Sequence, residues 1–198
     1  MVSLRTLAAT AIAFASPLVS ALTVSQIVNN IQTLTSKSQA LQAPAQSITI
    51  VNGPLIVIGL GPFPTIITGF SDIVQTVTVA FAQMQSGPDH LTTEADATAV
   101  ADAFSEFVRV HQVLLNILIG KAGLFQTVPI IGQPVAAVLH SLENVVDTIT
   151  FNLIDLVDPA TQKDQMSADA ASLSGTIGNA IKSYEGLNIN KVKREFRA

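Results

Sequence analysis

The sequence predicts an all-α protein, an antiparallel five-helix bundle with an apolar linker between its first and second helices. Three observations lead there. Apolar residues recur at helical spacing through five segments, capping residues and prolines bracket those segments, and the period-two alternation of a half-buried strand is weak throughout.

Ahead of the helices, residues 1–21 hold Arg5, an apolar run from Leu7 to Ala15, Pro17, and then Val19-Ser20-Ala21, small residues of the kind that precede a cleavage point. This reads as a secretory signal peptide, so the mature chain is expected to begin near Leu22 and to be soluble outside the cell. Its apolar run is too short to cross a bilayer, and no later uninterrupted run of roughly 18 apolar residues follows, so no transmembrane segment is expected.

The first helix is predicted over Thr23 to Ala43, with Val24, Ile27, Val28, Ile31, Leu34 and Leu41 on one face, Thr23 as cap and Pro44 as stop. Ile48 to Phe63 is apolar but broken by Asn52-Gly53-Pro54 and Gly59-Leu60-Gly61-Pro62, which argues against continuous helix or strand. The linker is expected to pack across the bundle as a buried lid; the alternative is exposure. From Pro64 to Met84 helical spacing returns at Ile67, Phe70, Ile73, Val74, Val77, Phe81 and Met84, and Gly87-Pro88 ends it.

Thr92 to about Ile119 is the longest pattern, with Thr92 or Thr93 as cap, Glu94 and Asp96 in the first turn, and Gly120 and Gly123 as candidate stops. Its apolar face reads Phe104, Phe107, Val108, His111, Leu114, Leu115, Leu118. From Val113 to Ile119 the apolar character spreads round the helix, which predicts deep burial. The fourth helix follows Pro129 and Pro134 and runs to about Val157. The fifth opens at Asp158-Pro159, a cap with proline at the first helical position, and stops at Gly186. The folded domain is thus placed at 22–187, followed by a basic tail, 188–198.

Composition removes whole classes of function. With no Cys among 198 residues, disulfides, thiolate zinc and cysteine catalysis are excluded. Removing Arg5 from the ten basic residues leaves nine against fourteen acidic ones, and Lys191, Lys193, Arg194 and Arg197 in the tail account for four of the nine. An acidic body offers no attraction to nucleic acid. The tail reads as solvated and frayed, or, alternatively, as a dibasic cleavage site at Lys193-Arg194. No Asn-x-Ser/Thr sequon is present and no apolar tail follows a small-residue site, so neither N-glycosylation nor a GPI anchor is expected.

Catalytic constellations fail on inspection. There is no Gly-x-Ser-x-Gly elbow, and Gly59-x-Gly61 lacks the third glycine of a dinucleotide fingerprint. His140 and Glu143, three apart, could be two metal ligands; a solvated surface pair explains them better, because Asn144 and Asp147 share the face and no second His lies within a turn. The acidic row Glu143, Asp147, Asp155, Asp158 lacks the dense oxygen-bearing loop of a calcium site. No cofactor and no metal are expected, and an enzymatic role is not expected either.

His111 stands apart because it interrupts an apolar stripe. A buried imidazole needs a partner, supplied by the fold or by a ligand carboxylate or hydroxyl. Lys121, on the same side of the helix, could neutralise a carboxylate at a cavity mouth or simply cap the helix end. Small residues crowd the fifth helix at Ala168, Ala170, Ala171, Ser172, Ser174, Gly175 and Gly178. They permit either close packing or a void beside large residues on facing helices. Should a void exist, the stripes put Phe70, Val77, Phe81, Phe104, Phe107, His111, Leu115, Leu118, Leu142, Ile149, Leu173 and Ile177 around it, with His111 and Lys121 as possible carboxylate contacts.

Phe104-x-x-Phe107-Val108-x-x-His111-Gln112-x-Leu114-Leu115-Asn116-Ile117-Leu118-Ile119-Gly120-Lys121-Ala122-Gly123 and Leu142-Glu143-x-Val145-Val146-Asp147 resemble the fungal hydrophobic surface-binding protein A family, which includes antigenic cell-wall galactomannoproteins. The resemblance runs over nearly the whole mature chain. It implies a five-helix bundle, a fatty acid in a central apolar cavity in some members, and in others adsorption to hydrophobic surfaces with recruitment of polyester-degrading enzymes. It also implies cell-wall association, although wall members often add a Ser/Thr-rich stalk or anchor and this chain ends soon after its fifth helix. Two functions follow as expectations: a secreted, non-enzymatic carrier of a fatty acid or similar lipid, or a protein whose exposed linker adsorbs to hydrophobic surfaces or cell-wall polysaccharide.

Overall fold

Thr23 caps the first helix: its Oγ1 accepts from Gln26 N at 3.3 Å, while Gln26 Oε1 accepts from Thr23 N at 2.8 Å, so two orphan donors are satisfied reciprocally. The computed structural model describes residues 22–52, 55, 59–85, 87–125 and 132–185. The signal peptide, the basic tail, Gly186, Ile56 and Ile58 lie outside the described residues. Among those described, the long helices are α1 (Val24–Ala40), α3 (Pro62–Met84), α4 (Glu94–Ala122), α5 (Gly132–Leu156) and α6 (Ala160–Glu185), with a single-turn α2 (Gln42–Gln46) after α1.

Element boundaries depart from expectation where proline and glycine are permissive. Pro44 does not end the first helix; a break at Leu41 does, and Pro44 sits in the short α2, whose first turn tolerates a missing N–H. α3 begins at Pro62, preceded by Gly61 at φ 84, a backbone angle that L side chains rarely adopt. Gly120 is passed over, and Gly123 caps α4, leading into a 3-10 turn over Gly123–Phe125. Pro159 precedes α6, its carbonyl accepting from Lys163 N at 3.1 Å, instead of taking the first helical position.

Consecutive long helices run antiparallel, but their order in space differs from their order in sequence. The packed neighbours form a closed ring, α1–α4–α6–α5–α3 and back to α1. Hydrogen bonds give the directions. Between α4 and α6, Gln162 Nε2 donates to Thr98 Oγ1 (2.9 Å), Gln112 Nε2 to Ser172 Oγ (2.8 Å), and Tyr184 Oη to Leu118 O (3.0 Å). Partners stay 60 to 66 residues apart along this seam, so α4 and α6 are parallel. Val28, Gln32 and Ser36 of α1 flank one groove with Ala99, Ala103 and Glu106 of α4, and Ser38 meets His111 further along, so α1 and α4 run parallel too. Lys37 with Asp72 and Asn30 with Gln83 set α1 against α3 in the opposite sense.

At one end the turns are tied together. Leu91 N donates to Leu156 O (2.7 Å) and Asp158 N to Leu91 O (3.1 Å), a parallel bridge that joins the α3–α4 connection to the α5–α6 connection. The opposite end carries the linker. There Asn52 Oδ1 accepts from Thr49 N and its Nδ2 donates to Ser47 O, both at 2.8 Å, and Lys121 Nζ donates to Ile48 O at 2.9 Å. The linker does not form the expected buried lid throughout: Ile48 and Phe63 are buried, whereas Ile50 is 61% and Val51 84% exposed.

One continuous core draws on every long helix. α3 is long and apolar enough to cross a membrane by length and composition, and it buries Phe63, Ile66, Phe70, Ile73, Val77 and Ala80 within the bundle. Expected all-round burial of Val113 to Ile119 does not hold, because α4 occupies a place in the ring and keeps an outward face: Val113 and Asn116 are exposed. Most of the small residues of α6 serve neither close packing nor a void, Ala170 alone among the alanines of that set being packed against the core. Ala168, Ala171, Ser172 and Gly175 are exposed, and a Cβ built on Gly175 or Gly178 meets nothing within 4 Å.

Those glycine environments predict opposite outcomes for one substitution. Gly178→Ala lies in open space within a helix and should raise the unfolding free energy by about 0.5–1 kcal/mol. Gly69→Ala brings a Cβ within 2.3 Å of Leu41 Cδ2 and should lower it by about 1–3 kcal/mol, both read from urea denaturation.

Candidate functional site

α4 brings His111 into the interior one turn after Phe107, and the ring arrangement supplies the rest of its surroundings. Phe107 lies 5.3 Å from the imidazole between ring centroids, and Phe70 of α3 meets it edge-on at 6.0 Å. From α1, Ser38 Oγ sits 2.8 Å from His111 Nδ1 and donates to Leu34 O at 2.9 Å. Both Ser38 and His111 are 0% exposed. Nε2 has no hydrogen-bond partner.

Burial pushes the imidazole down to about 4, because an apolar surround penalises its charged form. His111 is therefore neutral in the folded protein near neutral pH. A buried polar atom without a partner costs about 1–3 kcal/mol, so the open Nε2 is a local defect in the core, which it shares with Thr150 Oγ1 on α5.

A separate apolar crevice lies between α1, α3 and α5; neither Ser38 nor His111 lines it, and Leu34, one turn before Ser38, is its nearest member on α1. Ile27, Asn30, Ile31, Leu34, Ala80, Met84, Ile149 and Leu153 line it, and its volume is about 10 Å³. That is room for about one water, against roughly 300–1,000 Å³ for a small-molecule pocket. Two larger grooves along α1 are open to solvent and carry polar side chains, Asn29, Gln32 and Lys37 in one, Gln32, Asp102 and Glu106 in the other.

The residues assigned to a void by the stripes converge. Phe70, Val77, Phe104, Phe107, Leu115, Leu118, Leu142, Ile149, Leu173 and Ile177 all belong to the single core cluster, and His111 is buried among them. Phe81 is half-buried at the margin. The crevice itself shares only Ile149 with that set. The two proposed carboxylate contacts are not brought together: Lys121 lies ten residues along α4, about 15 Å at the helical rise, and its ammonium is engaged with the linker carbonyl.

Sequence reasoning missed Ser38. The signal was present, since Ile27, Ile31, Leu34, Ser38 and Leu41 follow helical spacing and Ser38 is the polar member of that row, as His111 is on α4. Elsewhere, His140 lies between Glu143 (3.6 Å) and Glu185 (2.9 Å), and the Glu185 hydrogen bond above all raises its ring above the usual histidine range. Asp158 pairs with His90 at 3.2 Å. Among the described residues no cluster of three potential ligands is placed to hold a metal.

The depressed imidazole makes stability depend on pH with a definite sign. In the unfolded chain the ring takes a proton below about 6.5, and in the folded protein only near 4, so stability is complete above 6.5 and declines as the pH falls towards 4. The decline attributable to His111 is about 3 kcal/mol. The stability difference between wild type and His111→Leu, followed by denaturant unfolding from pH 7 to pH 4, should shift by about that amount in the variant's favour.

No protein-family model matches the chain, and no curated protein matches it. Solved structures do. The crystal structure of AfMP4p in complex with palmitic acid superposes with a TM-score of 0.70 at 18% identity, covering 82% of this chain and 99% of that one. Ligand-binding domain 2 of the Penicillium marneffei MP1 protein, in complex with arachidonic acids, gives 0.66 at 13% identity over 83% and 93% of the two chains. Domain 1 of the same protein, also complexed with arachidonic acids, gives 0.60 at 13% identity over 80% and 98%. The chain thus shares its fold along almost the full length of each of these domains.

Proposed function

We propose that this protein is a secreted, non-enzymatic carrier that encloses a long-chain fatty acid or similar lipid between its helices, and that it belongs with the hydrophobic surface-binding protein A family. The observation that carries the reading is His111 Nε2, a buried acceptor without a partner in a largely apolar core that also holds, one helical turn before Ser38, an apolar crevice. A guest with an apolar chain and one polar end would complete both. The fatty acids held by the structural neighbours have that form.

At about 10 Å³ the crevice cannot receive a lipid without movement. The helices must part, and the guest must restore the contacts that their separation removes. Burying about fifteen methylenes contributes roughly 12 kcal/mol gross at about 0.8 each, enough to exceed the cost of association and leave micromolar or tighter binding. Protein extracted into organic solvent should release a lipid detectable by mass spectrometry, and delipidated protein should bind a fluorescent fatty acid saturably. A lipid-free protein indifferent to the probe would refute the carrier. Ala80→Trp, which fills the crevice, should weaken probe binding at least about tenfold while circular dichroism stays helical.

A second reading is favoured by a separate observation at the linker end. No charged residue or histidine lies between Lys37 and Asp72, and Ile50, Val51 and Leu60, at 61%, 84% and 57% exposure, project from that stretch. Apolar side chains displayed without charge suit adsorption to a hydrophobic surface. Replacing Ile50 and Val51 together with Ser should reduce retention on an alkyl-coated surface and leave fatty-acid binding intact; unaltered retention would reject the reading.

A further inference from the structure

The hydrogen bonds around Ser38 determine which kind of group His111 can receive. A carbonyl oxygen only accepts, so the single hydroxyl proton of Ser38 goes to Leu34 O. Ser38 Oγ is then the acceptor in its contact with His111 Nδ1, and the imidazole carries its one proton on Nδ1. Nε2 is left as a bare lone pair. A carboxylate, which only accepts, would set lone pair against lone pair there, whereas an O–H group would satisfy it.

Charge leads to the same conclusion. The buried polar residues among those described are Ser38, His111, Thr150 and Gln162, and none is a cation. Lys121 is held at the linker, and Arg109 is paired with Glu106 on the outer face. A carboxylate drawn into this core would remain an uncompensated buried charge. The crevice stops short of the imidazole: Leu34 lines it one helical turn before Ser38, so the polar end of a guest must pass that turn to reach Nε2.

Building on the carrier reading, we infer that the polar end of the guest is an O–H donor to His111 Nε2: a long-chain acid held in its protonated form, or a long-chain alcohol, in preference to a carboxylate or an ester. An acid that is ionised in neutral solution takes one proton from solvent as it enters, and that proton lies in the bond to Nε2. An alcohol brings its own. No covalent bond is made or broken in the lipid. Ser38 is the positioning residue, since its acceptance from Nδ1 keeps Nε2 free to accept.

The test is displacement of an anthroyloxy-labelled stearic acid from the delipidated protein by palmitic acid, hexadecanol and methyl palmitate. The alcohol should displace the probe at a concentration at least about tenfold below that of the ester, which has no donor, and the acid, which must take up a proton to bind, should become a stronger competitor as the pH is lowered. Calorimetry near neutral pH in two buffers of different ionisation enthalpy should show about one proton taken up per acid bound and none per alcohol. In His111→Phe the gap between alcohol and ester should close. Should that variant fail to fold, the wild-type ranking and proton count decide the matter alone. An ester equal to the alcohol, or an acid bound without proton uptake, would overturn the inference while leaving the carrier intact. Failure of the probe and all three lipids to bind would remove the carrier and this inference with it.

Discussion

Burial of the apolar stripe of α4 between two parallel neighbours is the constraint from which the architecture follows. α4 is the longest helix and packs its sides against α1 and α6, and both run in its own direction because each lies two antiparallel steps from it along the chain. α3 and α5 then close the ring on the far side, where Phe70 reaches across to the His111 ring. Parallel neighbours in an up-and-down chain are possible because the sequence skips a position at each step: α1 finds α4, and α4 finds α6. The polar seam from Thr98–Gln162 to Leu118–Tyr184 fixes the register that apolar contact alone would leave loose.

Much of this was legible in the residues. The five segments, the Thr23 and Thr93 caps and the linker between Pro44 and Pro62 follow from periodicity and local backbone chemistry. The order of helices round the ring did not, because an amphipathic stripe states that a face is buried and not against what. The small residues of α6 show the same gap: Gly175 and Gly178 look alike in sequence whether they abut a neighbour or open water, and they open on water. In the candidate site His111 was conspicuous as a polar break in a stripe. Ser38 was the same kind of break on α1, and only the pairing of α1 with α4 shows that the two breaks coincide. Lys121, matched to a ligand carboxylate by its side of the helix, is separated from His111 by helical rise and committed to Ile48.

The interior is closed at the crevice, and that is compatible with a reluctant rather than an absent opening. Apolar faces that part to admit an apolar chain do not return to water; they exchange one set of dispersion contacts for another. The free energy gained comes from the guest's own surface leaving water, and the protein's share is chiefly the strain of the new spacing. On the carrier proposal, the open lone pair on His111 favours occupancy, because the closed form leaves unmatched an acceptor that a guest hydroxyl would match.

The backbone bridge at Leu91 fastens one end of the ring. Because Leu91 is bonded to both Leu156 and Asp158, the two turns there behave as a riveted joint, and the crevice, with Met84 and Leu153 in its lining, sits towards that fastened end. Opposite it the linker is hung from α4 by the ammonium of Lys121 on one carbonyl. The molecule is thus fastened like a clasp at the turns around Leu91, and displays its uncharged apolar side chains Ile50, Val51 and Leu60 at the other end.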